Sequence, residues 1–231
     1  MHSSRAHAAM QQPGRATVGI VLAGGGSTRL GIVAEATGGG KALLAFQGRT
    51  LLEHVVVAVA AEVDRTIVVA APGQMLPALD GVQIVHDVAP GAGPLAGIRD
   101  GLRAALPADH AATLPPCLAF VASCDVPLVR REIVRLLLDV ATESRSLWTV
   151  PIVHGHRQVL VSAMRVELLP RIDAWLARGR RDLRGLFAEI AREDSRSIRE
   201  VTEEACKAVD PMLDSFVDID TPNDLERLQS R

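Results

Sequence analysis

Apolar residues fall into two spacings that alternate along most of this chain. Val18, Ile20, Val21 and Leu22 make a short dense run, and Thr66 to Ala70, Val82 to Val85 and Cys117 to Ala122 repeat its character, which predicts buried strands. Between them the period lengthens. Leu52, Val55, Val56 and Val59 recur at helical spacing behind Thr50 and Glu53, a capping-box pair, and Leu95, Ile98, Leu102 and Leu106 line one side of a helix that Pro94 opens. Strand and helix in alternation predict parallel crossovers. The expected fold class is α/β with a mostly parallel sheet.

In the second half, Glu132 to Val140 predicts a helix, and Trp148 to Val153 and Val159 to Ala163 predict strands. His154-Gly-His-Arg157 between those strands suggests the turn of an antiparallel hairpin. Val166 to Ala177 and Leu183 to Ile190 predict helices, while the charge-rich stretch from Arg192 to Glu204 has no clear period. Ser215 to Asp220 predicts a last strand. Thr221-Pro222-Asn223-Asp224 then starts a helix, with Thr as cap, Pro in the first turn and Asp complementing the helix dipole. No internal repeat or low-complexity linker divides the chain, so residues 1–15 are expected to be a loose tail and 16–231 a single domain.

Composition narrows the classes. The 231 residues are 48% hydrophobic and 3% aromatic with no Tyr, enough for a sizeable core built from Ala, Val and Leu. A net charge of −2 without a basic tract argues against nucleic acid or an anionic membrane as partner. Cys117, Cys124 and Cys206 are odd in number and lack C-x-x-C spacing, which suggests neither disulfides nor a zinc knuckle and fits a reducing cytoplasm. No apolar run reaches the ~18 residues of a membrane span, and residues 1–15 lack the apolar centre of a signal peptide.

The chemistry gathers where the first strand ends. Leu22-Ala23-Gly24-Gly25-Gly26-Ser27-Thr28-Arg29-Leu30-Gly31 turns a buried strand into a donor-rich loop, and Lys41 follows Gly38-Gly39-Gly40. Backbone N–H groups in such a loop can face a phosphate without a Cβ in the way, and Arg29 and Lys41 add charge. A Walker phosphate loop would need Gly at 35 and Ser or Thr at 42, which are Glu35 and Ala42. A dinucleotide fingerprint would need Gly where Arg29 stands and an acid after the second strand, which ends Val69-Ala70-Ala71. The remaining reading, Leu-Ala-Gly-Gly-x-Ser-x-Arg-Leu-Gly followed by a lysine, resembles the signature loop of nucleotidyltransferases that move NMP from an NTP to a phosphorylated acceptor. Asp125, beyond the strand Cys117 to Ala122, is a candidate metal ligand, and one of Asp218 and Asp220 a second. Cys124 reads as a small buried residue and His154 and His156 as an exposed turn.

The loop at 22 to 31, Lys41, Val85-His86-Asp87, Gly93-Pro94-Leu95-Ala96-Gly97, Cys124-Asp125-x-Pro127 and Asp218-Ile219-Asp220-Thr221-Pro222 stand in the order seen in molybdenum cofactor guanylyltransferases. This resemblance to MobA-like NTP transferases spans almost everything after residue 15. It implies a doubly wound, mostly parallel, GT-A-like (Rossmann-like) sheet in a three-layer sandwich, and transfer of GMP from GTP to molybdopterin with release of pyrophosphate, using Mg2+. It assigns catalysis to Arg29, Lys41 and Asp125, nucleotide binding to Leu22 through Ser27, Arg29, Lys41, Asp87 and Gly93 through Gly97, and metal to Asp125 with Asp220 favoured over Asp218. It also implies transient contact with proteins that make or receive the cofactor. A phosphate monoester acceptor is already largely anionic near neutral pH and needs no general base. The residues alone leave open a cytidylyltransferase, a sugar-1-phosphate nucleotidylyltransferase, and a nucleotide-binding module without turnover.

Overall fold

The apolar runs and helical stripes fold into crossovers around one central strand. The computed structural model describes residues 16–24, 40–88, 91–107 and 117–229. Strand β1 is Ala16–Leu22; a small hairpin, β2 (Ala45–Phe46) and β3 (Arg49–Thr50), leads into helix α1 (Leu51–Ala60). Then come β4 (Arg65–Ala70), β5 (Val82–His86), α2 (Pro94–Ala105) and β6 (Cys117–Ser123). The second half holds α3 (Arg131–Ser144), β7 (Trp148–Val153), β8 (His156–Arg157), β9 (Val161–Arg165), α4 (Leu169–Ala177) and α5 (Leu183–Glu193). It ends with β10 (Ile198–Val201), α6 (Glu203–Lys207) and α7 (Pro222–Gln229).

The main sheet has the order β10-β7-β9-β6-β1-β4-β5, with β8 paired to β7. β1 runs parallel to both of its neighbours, β4 and β6, while β9 is antiparallel to β6 and β7. From β1 the chain moves outward through β4 to β5, then returns through α2 to β6 on the other side of β1. That reversal is a topological switch point. Beyond the carboxyl ends of β1 and β6 the connections diverge and leave a crevice, the usual place for a ligand in such sheets.

Alternating residues of each strand supply the two interior layers. Val18, Ile20, Ile67, Val69 and Val121 pack against α2, α4 and α5 through residues such as Leu95, Ile98, Leu102, Ile172 and Leu186. Val21, Val68, Leu118 and Phe120 face α1 and α3 through Leu52, Val55, Val59, Ile133 and Leu137. A third, small cluster of Leu44, Phe46, Leu51, Ile219 and Leu228 ties the segment before α7 to the β2–β3 hairpin. The Thr50–Glu53 capping box closes in both directions at α1, and Pro94 opens α2.

Three expectations change. Ser215 to Asp220 is not a strand: Leu213 takes the left-handed conformation at φ 57°, a 3-10 turn covers Asp214–Phe216, and the Ser215 N–H goes to the Asp210 carboxylate rather than to a ladder. The strand expected from Val159 begins at Val161, because the Val161 N–H closes a turn onto the Gln158 carbonyl. The charge-rich stretch yields β10, parallel to β7. Among the described residues no helix is long and apolar enough to cross a membrane.

α2 lies unusually close to β1 because it has Gly101 at the contact: a Cβ there would stand 2.5 Å from Ile20 Cγ2. Gly101→Ala gains about 1 kcal/mol of helix propensity, but overpacking of a dense interior costs about 1–3 kcal/mol. We expect a net loss of stability, read as a lower urea midpoint; a midpoint at or above wild type would show that α2 can back away freely.

Candidate active site

The exit of β1 is fixed from both sides. The Ala23 and Gly24 N–H groups donate to the Val69 carbonyl (2.8 and 3.2 Å), and the Cys124 N–H donates to that of Leu22 (3.0 Å). Gln74 spans the gap: its Oε1 accepts the Ala71 N–H (2.9 Å) while its Nε2 donates to the Ala23 carbonyl (3.0 Å). Leu22 and Ala23 are buried by this packing, and Gly24 is exposed. Gly25, Gly26, Ser27 and Arg29 lie outside the described residues.

Next to that exit, three distant parts of the chain converge. Lys41, in a short 3-10 turn at Gly40–Leu43, places its Nζ 2.7 Å from Asp220 Oδ1 and 3.3 Å from Asp125 Oδ2. Burial alone would lower the Lys41 pKa. The hydrogen bond to Asp220 and the charges of Asp125 and Asp220 outweigh it and hold the ammonium above its ordinary value of 10.5. The Ile219 N–H donates to the Asp125 carbonyl (2.8 Å), so the two carboxylate-bearing segments are also tied through their backbones. Ile219 is fully buried, and it anchors Asp220 next to Lys41. Asp218 is exposed; partial desolvation and then the Asp220 charge push its carboxyl above the ordinary range.

The Asp125 carboxylate is only partly exposed, at 24% of the side chain. Its neighbour Cys124 is buried, and burial pushes that thiol up to about 12, which leaves it inert as a nucleophile. Two strands beyond β1, Asp87 follows β5 with its N–H on the Ala70 carbonyl (2.8 Å). Asp125, Gly24, Ala71 and Asp87 thus stand at consecutive strand ends, β6, β1, β4 and β5, spread over roughly 14 Å by the strand spacing. After Asp87 the backbone is held by Asp100, a buried residue of α2 that accepts the Val88 N–H (3.1 Å) and the Arg99 Nε–H (2.8 Å).

Of the glycine-proline segment that opens α2, Gly93 (φ 83°) and Pro94 are exposed at the helix start. Leu95, Ala96 and Gly97 are buried, and a Cβ on Gly97 would lie 3.2 Å from Leu22 Cδ2. Those three serve the approach of α2 to β1. His154 and Gly155 form the two-residue turn between β7 and β8, both at positive φ, as hairpin turns of that length prefer. Among the described residues no group of three His, Cys, Asp or Glu side chains is placed to hold a metal. Gln74, Asp100 and Asp210, which brace the segments around the site, carry no local sequence signal: each acts on backbone groups distant in sequence or hidden by the fold.

The arrangement offers two carboxylates that converge on one cation, exposed backbone at a strand exit, and an acid at the far end of a sheet edge. That combination suits a polyanion bound with a cation. A model of the MobA-like NTP transferase domain matches residues 19–195. A relative from Mycobacterium avium (strain 104), named "probable molybdenum cofactor guanylyltransferase", is 36% identical over 192 residues, covering 81% of this chain and 91% of the relative. The structure of molybdopterin-guanine dinucleotide biosynthesis protein A from Archaeoglobus fulgidus superposes with a TM-score of 0.70 at 20% identity, covering 92% of this chain and 97% of that one. The 2-C-methyl-D-erythritol 4-phosphate cytidylyltransferase of Thermus thermophilus shares the fold with a TM-score of 0.62, also at 20% identity, covering 91% and 96%.

The raised Lys41 pKa has a signed consequence. Its contribution to stability is fully present below the ordinary value of 10.5 and is lost as pH rises through the higher folded value. The stability advantage of wild type over Lys41→Met in urea should therefore be constant from neutral pH to that point and shrink above it. An advantage that fades between pH 7 and 9 would mean that the ammonium is not held by these carboxylates.

Proposed function

Since the chain belongs to the MobA-like NTP transferase domain family, we propose that it transfers GMP from GTP to the terminal phosphate of molybdopterin, with release of pyrophosphate. The observation that carries this reading is the convergence of Lys41, Asp125 and Asp220 beside the switch point between β1 and β6. We assign the activity to a single domain over residues 16–231, in the cytoplasm; residues 1–15, expected from the sequence to be a tail, lie outside the described residues.

An acceptor phosphate oxygen attacks the α-phosphorus of GTP, and the bond from that phosphorus to the bridging oxygen of the β-phosphate breaks. The acceptor dianion needs no base, so the protein's task is alignment and charge neutralisation. The Lys41 ammonium stays charged throughout the physiological range and meets the phosphates, with Arg29 from the glycine loop. Gly24, Gly25, Gly26 and Ser27 give backbone donors to the triphosphate, Gly93 and Pro94 border it at the start of α2, and Asp87 accepts the guanine N–H pair or a ribose hydroxyl.

The donor set fits magnesium. Asp125 and Asp220 supply hard carboxylate oxygens that already share one cation, the Lys41 ammonium, and Mg2+ needs only one or two carboxylates besides phosphate and water. Held there, the ion would add positive charge against the triphosphate and the leaving pyrophosphate. The product then passes, by transient contact, to proteins that build or receive the cofactor.

Pyrophosphate release with GTP, CTP, ATP or UTP, with molybdopterin or glucose 1-phosphate as acceptor, tests the reading. We expect turnover with GTP and molybdopterin, dependent on Mg2+, and a fall of about 100-fold or more in kcat for Asp125→Asn. Turnover with another nucleotide and acceptor pair would overturn the substrate assignment, and nucleotide binding without turnover would overturn the enzyme reading for this chain. Asp87→Ala should weaken the preference for GTP over ATP; an unchanged preference would remove Asp87 from base recognition.

A further inference from the structure

Asp210 is fully buried, and no step of the proposed chemistry uses its charge. A buried carboxylate costs several kcal/mol unless it is paired and hydrogen-bonded, so its surroundings show what the charge is there to hold. One carboxylate oxygen accepts the Ser215 N–H at 2.9 Å. The other lies 3.3 Å from Arg130 Nε as an ion pair, without completing a hydrogen bond. Ser215 closes the triangle, because its Oγ accepts the Arg130 N–H at 3.0 Å.

These three residues sit at a junction. Arg130 ends the loop that begins with Asp125 and forms the N-cap of α3; Ser215 begins the segment that ends with Asp220. The same two segments meet again at their other ends, where the Ile219 N–H donates to the Asp125 carbonyl. The loop of Asp125 and the segment of Asp220 are thus tied twice, once at the Arg130–Ser215 end and once directly beside the carboxylates. The turn between Asp210 and Ser215 also contains Leu213, a buried residue other than glycine at φ 57°, a conformation that costs about 1 kcal/mol or more and persists only when its neighbours enforce it. The Leu213 N–H on the Asp210 carbonyl (2.9 Å) is part of that enforcement.

We propose that Asp210, acting through Ser215 and Arg130, is a positioning residue that sets Asp220 opposite Asp125 across the Lys41 ammonium. This inference rests on the assignment of those carboxylates to the transfer site. A change at Asp210 touches neither substrate nor metal; it alters the register between two segments.

The test uses Asp210→Ala and Ser215→Ala in the full chain. Two readouts are needed: hydrogen exchange of the Ile219 amide against the sheet amides of Ile20 and Ile67 without substrate, and kcat with KM for GTP. We expect Ile219 to exchange at least about tenfold faster while Ile20 and Ile67 keep their protection, with kcat lowered between about 10- and 100-fold and KM for GTP within about twofold. If Asp210→Ala loses sheet protection, Ser215→Ala decides, since it removes one acceptor and leaves the buried charge paired. Faster exchange at Ile219 with unchanged kcat, or lowered kcat without faster exchange, would overturn the positioning role. Asp125→Asn and Asp220→Asn separate the two levels. If both abolish turnover while the Asp210 and Ser215 variants keep it, only the positioning role falls; if both retain turnover, the site assignment falls and this inference with it.

Discussion

One ammonium between two carboxylates organises this molecule. Lys41 lies 84 residues from Asp125 and 179 from Asp220 along the chain, and its two contacts join the strand exits, the turn after the glycine loop and the segment before α7. Without a cation between them the two acids would repel each other. The site is therefore an arrangement of charge that calls for a positive partner. The exchange of one cation for others, an ammonium against a divalent ion with phosphates behind it, is the simplest use of such a place.

The sheet makes that meeting possible by its order of strands rather than by any feature of a single strand. β1 is buried on both faces and parallel to both neighbours, so its carboxyl end opens between two connections that leave in opposite directions. A core poor in aromatic residues packs through close backbone approach instead of bulk. Gly101 and Gly97 let α2 settle on Ile20 and Leu22, and this places its exposed start, Gly93 and Pro94, at the same edge as Gly24. The packing of a helix and the shape of the crevice are one requirement.

Most of the architecture was legible in the sequence because strong periods carry their own explanation. The strands Val18 to Leu22 and Cys117 to Ala122, the capping box at Thr50 and Glu53, and the Pro94 helix start depend on neighbours within a turn or two of chain. The family, too, could be read from the order of its motifs. What failed depends on distance. Ser215 to Asp220 has the apolar alternation of a strand, but the buried Asp210 takes its first N–H and a left-handed Leu213 turns it away from any sheet. β10 was invisible in a charged stretch because it is an edge strand, half covered, with Arg199 and Glu200 exposed. Gln74 and Asp100 gave no sign at all, since the Ala23 carbonyl and the Val88 N–H that they hold are brought to them by the fold.

The last of the three charges also arrives late. β10 closes the sheet at Val201, and Asp220 follows it only after α6 and the Asp214–Phe216 turn. On a ribosome adding about 5–20 residues per second, every strand of the sheet has been synthesised about a second or more before Asp220 exists. Asp220 is therefore the last of the three charges to be made, and a chain ending after β10 would contain every strand of the sheet but lack one of the two carboxylates.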